Sequence, residues 1–376
     1  MSQAVSSAPY LTDGIKALKT GVLPLAAAEM RALHGEDLRL LNLNECPYPP
    51  SPATLEAIMR AAQGINRYPE TRSTKLAAAM SRRTGVPADR IVFGIGSDEL
   101  LNLLSQAALG PGDTIVAPTP SFPRYRLAAV VMGAKPILVP IDREGACDVD
   151  KLLAAVQPST RILWCCTPNN PSGGQLDDAR VARLVAGTPD DLILGIDEAY
   201  SEFGRHAGGP DVLAHVARRK GPWVVFRTFS KAYALAGMRI GYALCGSDEI
   251  ADALRKVRTT FNVTDMAQQA ALAALADEAY LKFILDSTAR ERRRLIEGFV
   301  KLGYKPLPSV TNFVSVDLGT NAWPVIDALL LHGVAAREWR DPGYETYLRV
   351  TVGTAEDTDA VLTALPLALK TQKKAG

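Results

Sequence analysis

Residues 228–242 read TFSKAYALAGMRIGY, and this stretch decides the fold that we expect of the chain. It begins within the apolar run WVVFRTFS (223–230), which is typical of a buried strand, and a loop of small residues then separates Lys231 from Arg239. Burial and nearby positive charge both lower the pKa of a lysine ammonium, so Lys231 is suited to act as a neutral amine. A lysine taken alone is more often a solvated surface cation, but the neighbours of Lys231 are apolar or carry hydroxyl groups.

Around this stretch the chain alternates short β-rich runs with helical patterns, which is typical of an α/β sheet. Many of the runs are apolar on both faces, as the strands of a parallel sheet are. The predicted strands are IVFGIG (91–96), TIVAP (114–118), PILVP (136–140), RILWCCTP (161–168), LILGIDEAY (192–200), WVVFRTFS (223–230) and IGYALCG (240–246), with helices near 100–109, from 123 and near 176–186. We therefore expect a large layered domain over residues 45–265.

A smaller domain is expected from the rest of the chain. Residues 266–300 form a long charge-rich stretch with apolar residues at helical spacing, which predicts a helix that bridges the two domains. Further strands are predicted at 312–318, 334–338 and 347–353, with helices over 323–332 and after 355. Together with the N-terminal segment, these elements predict an α+β domain made of residues 1–44 and 266–376.

The composition limits the classes of partner. The 376 residues include 42 Lys and Arg against 40 Asp and Glu, a net charge of +2 that is too balanced for the basic surface of a general nucleic-acid binder. The sequence has neither a membrane-length apolar run nor a signal-peptide pattern, so we expect a cytoplasmic protein without nucleic-acid or membrane partners. The five cysteines and four histidines lack metal-ligand spacing, and no metal site is predicted.

Several motifs place polar groups where strands end. Asp197 ends the run LILGID, where it can hold a protonated ring nitrogen or simply cap a helix, and PNNPSG predicts a tight turn that points an amide out of the sheet. At FGIGSDELL, glycines precede a helix whose first amides can receive a phosphate, although a dinucleotide site would need a third glycine where Glu99 stands. Arg349 lies in the middle of a strand, which indicates a bound anion, an exposed edge strand or an internal ion pair.

In their order along the chain, these motifs resemble those of the class I and II aminotransferases, pyridoxal-phosphate-dependent enzymes of fold type I. The lysine segment matches the family motif at its fixed positions, and GSDE, NNPSG and DEAY occur where the family has them. LNLNECPYPPSP (41–52) and RYPE (67–70) are most similar to the histidinol-phosphate branch, with Cys46 where that pattern usually has Asn. The resemblance extends from Asn44 to Gly353. It implies a three-layer α/β/α domain with a mixed, mostly parallel sheet, and a smaller α+β domain.

The resemblance also implies a role for each candidate residue. Lys231 would carry the cofactor as a Schiff base and, once released, remove the Cα proton of the substrate. Asp197 would hold the cofactor's ring nitrogen, Tyr200 and Asn170 would donate to its phenolic oxygen, and Phe122 would stack on its ring. The cofactor phosphate would be bound by Gly96, Ser97, Asp98, Thr228, Ser230 and Arg239, and by Tyr68 of the second subunit in a homodimer with shared active sites. The substrate would be bound by Arg349 at an α-carboxylate, by Arg337 at a phosphate, and by Asn44 and Asn170.

The expected activity is the transfer of an amino group from histidinol phosphate to 2-oxoglutarate by a ping-pong mechanism. The N-terminal elements favour this donor, although relatives that act on phenylalanine or tyrosine share them. A pyridoxal-phosphate-dependent decarboxylase of a phosphorylated amino acid is a second alternative with the same lysine motif. A nicotinamide dehydrogenase would have no use for the SK, DEAY and NNPSG motifs.

Overall fold

Twelve strands and fifteen α-helices form within residues 9–18 and 25–372, the part of the chain that the computed structural model describes. The strands are β1 (Arg39–Leu40), β2 (Ile91–Gly94), β3 (Thr114–Thr119), β4 (Lys135–Pro140), β5 (Thr160–Cys166), β6 (Ile193–Asp197), β7 (Trp223–Thr228), β8 (Gly241–Cys245), β9 (Phe313–Asp317), β10 (Val334–Ala335), β11 (Arg337–Glu338) and β12 (Tyr347–Thr351). The helices are α1 (Asp13–Ala17), α2 (Ala27–His34), α3 (Pro52–Ala62), α4 (Thr74–Thr84), α5 (Ser97–Ala108), α6 (Arg124–Val131), α7 (Val149–Ala154), α8 (Asp178–Gly187), α9 (Ser201–His206), α10 (Val212–Val216), α11 (Asp248–Val257), α12 (Asp265–Ala276), α13 (Glu278–Lys301), α14 (Trp323–Leu331) and α15 (Ala355–Gln372).

Seven strands form the central sheet, in the order β2-β8-β7-β6-β5-β3-β4. The five strands from β4 to β7 in this order are parallel, whereas β8 runs antiparallel to both β7 and β2. The prediction of an α/β fold with a mixed, mostly parallel sheet is therefore confirmed.

Helices cover both faces of this sheet. Along β2, Ile91 and Phe93 belong to the apolar cluster on one face, while Val92 between them belongs to the cluster on the other face. Leu76 of α4 packs in the first cluster and Leu100 of α5 in the second. The result is the predicted three-layer arrangement.

A third apolar cluster lies in the C-terminal part of the chain. The antiparallel sheet β11-β12-β9 packs with α13, α14 and α15, and Val316, Leu329 and Leu365 are buried among them. Leu41 joins this cluster, and β1 pairs in parallel with β10. Ala267 of α12, in contrast, packs in the cluster of the central sheet. The exact division into residues 45–265 and the remainder stays a prediction, and residues 1–8, 19–24 and 373–376 lie outside the described residues.

Two predicted elements are divided in the structure. The helical stretch 266–300 breaks at Asp277, whose carboxylate accepts a hydrogen bond from the Tyr280 amide at 3.0 Å, because a capping aspartate competes with helix continuation. The run 334–338 forms two short strands, β10 and β11. Because β10 pairs with β1 and β11 pairs with β12, the chain changes from one sheet to another at Ala336. Within the described residues, no helix combines the length and apolar character that a membrane span requires.

Candidate active site

Most of the candidate side chains lie beyond one edge of the central sheet. Parallel strands end at the same edge, so the segments that follow β3, β5, β6 and β7 meet there. β8 begins at this edge because it is antiparallel, and Gly241 lies between Gly94 and Thr228 in the register. Asp197 is paired with Cys166 at the end of β5. The topology thus brings together segments that are far apart in the sequence.

Lys231 follows β7, and its side chain is half-buried. Its Nζ donates hydrogen bonds to the carbonyl oxygens of Leu43 at 3.3 Å and Asn44 at 3.0 Å, and it lies 6.0 Å from the ring centroid of Tyr200. Burial, with a smaller contribution from the Arg349 charge, lowers the pKa of Lys231 to about 8. A substantial fraction of the amine is therefore neutral in slightly alkaline solution.

Asp197 presents a buried carboxylate, with 2% of the residue exposed. Its Oδ2 accepts a hydrogen bond from the Tyr125 hydroxyl at 2.7 Å, and its Oδ1 accepts one from the Ala199 amide at 3.0 Å. Burial raises the pKa of Asp197 to about 6, although both hydrogen bonds lower it. Each oxygen keeps acceptor capacity for a protonated partner.

Tyr200 and Asn170 are each oriented by a neighbouring side chain. Asn44 Nδ2 donates to the Tyr200 hydroxyl oxygen at 3.0 Å, and Arg349 Nη1 donates to Asn170 Oδ1 at 2.8 Å. No described residue accepts a hydrogen bond from the Tyr200 hydroxyl or from Asn170 Nδ2, so both remain available as donors. Asn44 has a left-handed backbone conformation (φ 56°), and its backbone N–H donates a hydrogen bond to the Thr351 hydroxyl oxygen at 3.0 Å.

The start of α5 lies directly against β8. A Cβ atom on Gly241 would lie 2.5 Å from the Ser97 backbone nitrogen, so this contact requires glycine. The guanidinium of Arg239 is beside Gly96, which has a φ of 79, and its Nη2 donates to the Ile95 carbonyl oxygen at 3.4 Å. The Arg239 guanidinium and the first backbone amides of α5, a twelve-residue helix, therefore lie close together. This combination of a cation and N–H donors suits an anion.

The remaining residues predicted to bind a phosphate differ in their surroundings. Thr228 is buried, and its hydroxyl donates to Ser230 Oγ at 3.0 Å. The carboxylate of Asp98 forms an ion pair with Arg124 at 2.8 Å, which leaves its backbone amide as the group that can face an anion.

Two aromatic candidates lie at the periphery. Phe122 is half-buried, with its ring centroid 6.2 Å from that of Tyr125. Tyr68 is 82% exposed and stacks on Phe261 at 4.5 Å between centroids. Tyr68 thus lies on the surface of the single chain.

Arg349 and Arg337 form a pair of like charges. They are opposite each other in the register of β12 and β11, and such pairs are destabilising unless compensated. Arg349 is 8% exposed, its Nη2 donates to the Asn42 carbonyl oxygen at 2.9 Å, and its buried Nε has no partner in the described residues. Burial lowers the pKa of Arg349 to about 10. No carboxylate of the described residues forms an ion pair with either guanidinium, which leaves both able to bind an anion.

Tyr125, Asn312 and Thr351 contact candidate residues although no motif marks them. Asn312 Nδ2 donates to the Asn44 carbonyl oxygen at 3.0 Å and so fixes the segment that accepts from Lys231. The position of Tyr125, three residues after Phe122 at the start of a predicted helix, is the signal in the sequence that could have identified it.

Comparison with known proteins identifies the family to which the chain belongs. The chain matches the family Aminotransferase class I and II over residues 36–365. It is 37% identical over 339 residues to the aromatic amino acid aminotransferase of Cutibacterium acnes, covering 90% of this chain and 95% of the relative. It is 35% identical over 364 residues to the histidinol-phosphate aminotransferase of Moorella thermoacetica, covering 96% and 94%. The solved structure of histidinol-phosphate aminotransferase from Sinorhizobium meliloti with pyridoxal-5'-phosphate has a TM-score of 0.89 at 29% identity, covering 98% of this chain and 99% of that one.

The fold and the matches define a transaminase of fold type I. The chain belongs to the class I and II aminotransferase family, whose members depend on pyridoxal phosphate. The predicted family, fold type, enzyme class and cofactor are therefore confirmed.

Proposed function

We propose that this enzyme transfers the amino group of histidinol phosphate to 2-oxoglutarate, as a step of histidine biosynthesis. The observation that carries the proposal is the pair Arg337 and Arg349, two cations without carboxylate partners in the described residues. Histidinol phosphate offers a phosphate and 2-oxoglutarate offers carboxylates, so both substrates supply the anion that this pair lacks. Seven relatives that are 34–40% identical to this chain are histidinol-phosphate aminotransferases, which favours this donor.

The surroundings of Lys231 fit a cofactor that is held through an imine. Pyridoxal phosphate supplies an aldehyde for that bond and a ring that withdraws electrons from the substrate Cα. Lys231 would hold the cofactor covalently and, when released, would move the proton at the substrate Cα. Its lowered pKa supports both roles, because each requires the neutral amine.

Asp197, Tyr200 and Asn170 orient the ring. The buried carboxylate of Asp197 accepts from the ring nitrogen and stabilises its protonated form. The Tyr200 hydroxyl and Asn170 Nδ2 have no acceptor among the described residues, and both would donate to the phenolic oxygen of the cofactor. Phe122, which is half-buried, would stack on the ring.

The anion site between α5 and β8 holds the cofactor phosphate. Arg239 supplies the charge, and the amides that begin α5 supply oriented donors. The complete set is Gly96, Ser97, Asp98 through its amide, Thr228, Ser230 and Arg239, with Tyr68 from the second subunit.

Arg349, Arg337, Asn44 and Asn170 bind the substrate. The unpartnered Nε of Arg349 and the adjacent Nη groups suit a bidentate contact with a carboxylate. Arg337 binds the phosphate of histidinol phosphate, and Asn44 holds the Tyr200 hydroxyl toward the reacting atoms.

Transamination of aromatic amino acids is the second candidate, favoured by the relative from Cutibacterium acnes. The test is kcat/KM for histidinol phosphate against phenylalanine, each with 2-oxoglutarate. We expect a preference for histidinol phosphate, which Arg337→Ala reduces while kcat/KM for phenylalanine changes little. A large preference for phenylalanine would overturn the assignment of the donor.

The mechanism is testable in the same assays. Initial-rate lines should be parallel when both substrates are varied, because one site serves them in turn, and intersecting lines would exclude a ping-pong mechanism. A decarboxylase of a phosphorylated amino acid would instead release carbon dioxide without an oxo acid.

Borohydride reduction should attach the cofactor to Lys231, and mass spectrometry that finds the adduct elsewhere would overturn the assignment of the lysine.

We further propose a homodimer. Met59, Ile65 and Tyr68 are 63%, 70% and 82% exposed in the single chain, and such large apolar side chains suit a subunit interface. A cytoplasmic location is favoured by the five cysteines, all of which are free thiols.

A further inference from the structure

Tyr125 is held rigidly behind the proposed ring-binding carboxylate. It is 1% exposed, its ring stacks on Trp164 at 5.0 Å and 20°, and its hydroxyl donates to Asp197 Oδ2 at 2.7 Å. The stack depends on Gly195, because a Cβ atom there would lie 2.6 Å from the Trp164 ring. The packing of Tyr125 of α6 with Trp164 of β5 and Gly195 of β6 thus fixes the direction of the Tyr125 hydroxyl group.

The Tyr125 hydroxyl stays a donor. Burial and the Asp197 charge keep the pKa of Tyr125 well above its ordinary value, so the phenol is protonated across the working range of an enzyme. Together with the Ala199 amide, it gives each oxygen of Asp197 one fixed donor. The carboxylate plane is set, and the anionic form is stabilised against the cost of burial.

We propose that Tyr125 is a positioning residue that holds Asp197 as an oriented carboxylate and thereby keeps the proton on the cofactor's ring nitrogen. This inference rests on the proposed function, since it requires that Asp197 faces that nitrogen. Without the hydroxyl, the carboxylate is more basic and free to rotate, so the shared proton moves away from the ring.

The test compares Tyr125→Phe, Asp197→Asn and the double variant with wild type. Tyr304→Phe serves as the control because Tyr304 lies against the C-terminal cluster, away from the site. In Tyr125→Phe we expect kcat to fall about tenfold to a hundredfold, the effect of a hydrogen bond to a charged group, with KM nearly unchanged. With 15N-labelled cofactor, the ring-nitrogen NMR signal should shift toward the unprotonated position, and the apoenzyme should bind pyridoxal phosphate more weakly.

The double variant separates positioning from a general structural effect. Adding Tyr125→Phe to Asp197→Asn should cause little further loss, because Tyr125 acts through Asp197. Losses that multiply in the double variant, or an unchanged ring-nitrogen signal in Tyr125→Phe, would overturn the inference. If Asp197→Asn itself resembles wild type, the proposed role of Asp197 has failed instead.

A second variant preserves the packing in case Tyr125→Phe does not fold. 3,5-Difluorotyrosine at position 125 keeps the ring and makes the hydroxyl a stronger donor. The ring-nitrogen signal should then move further toward the protonated position, and a shift in the opposite direction would contradict the proposal.

Discussion

At the scale of single residues, the site contains ionisable groups whose burial acts against their charged forms. Asp197 has a raised pKa and Lys231 a lowered one, and both shifts are caused mainly by burial. The groups proposed to serve cofactor binding and proton transfer therefore destabilise the cofactor-free protein. Substitution of such residues commonly stabilises an enzyme while removing its activity.

Replacement of Asp197 by Asn should stabilise the cofactor-free protein at neutral pH. The pKa of Asp197 is about 6 in the folded chain and 3.8 in the reference state, so folding favours its protonated form. This stabilisation is present below pH 3.8 and is lost as the pH rises through 6. At pH 7 we expect Asp197→Asn to raise the free energy of unfolding by up to about 3 kcal/mol, and by much less at pH 4. Urea unfolding at the two pH values measures this, with the exposed Asp89→Asn as control. Equal free energies of unfolding for Asp197→Asn and the wild-type protein at pH 7 would contradict this prediction.

At the scale of secondary-structure elements, the proposed phosphate site depends on how closely α5 approaches β8. The glycine of β8, Gly241, has neighbours on two sides, since a Cβ atom there would lie 2.5 Å from Ser97 N and 3.0 Å from Arg227 O. Both neighbours are backbone atoms, which cannot turn aside as a side chain can. The glycine of the motif therefore determines the position of the amides that begin α5.

Gly241→Ala should weaken cofactor binding by displacing the start of α5. Overpacking of this kind costs about 1–3 kcal/mol, so we expect the Kd for pyridoxal phosphate to rise about tenfold or more. Spectral titration of the apoenzyme gives the Kd. Gly237→Ala is the matched control in the same segment, because a Cβ atom there meets nothing within 4 Å. If both variants bind the cofactor alike, the contact between β8 and α5 does not limit the site.

At the scale of the whole molecule, Tyr68 is the candidate residue whose predicted role requires a second subunit. Tyr68 lies on the surface against Phe261, while the other residues proposed to bind the cofactor lie near the edge of the central sheet. Together with the exposed side chains of Met59 and Ile65, this arrangement is what a shared active site between two subunits requires.

Complementation between two defective variants tests this arrangement. Lys231→Ala should be inactive, and Tyr68→Ala should need far more pyridoxal phosphate for activity. In a heterodimer of the two, one site combines Lys231 of one subunit with Tyr68 of the other and is complete. After subunits are mixed equally at limiting cofactor, we expect about a quarter of the wild-type activity, since half of the dimers are mixed and each has one complete site. Activity no greater than that of the separate variants would argue against a shared site.

Much of this protein follows from local sequence patterns. Apolar runs predict the central strands because both faces of a parallel sheet are buried, and the motifs around Lys231, Asp197 and Arg349 identify the chemistry through residue type and spacing. The break at Asp277 and the divided strand at Ala336 do not follow, because capping and a change of sheet depend on neighbours that helical or strand periodicity does not encode.

The sequence by itself determined the family and the cofactor, and its short motifs, with fixed spacings, predict the residues that carry the reaction. Only the tertiary structure decided which partners they have. Tyr125 and Asp197 are 72 positions apart, and Asn44 and Tyr200 are 156 apart, yet each pair forms a hydrogen bond. The order of strands in the sheet produces those contacts, and it results from packing across the whole chain, which no local pattern records.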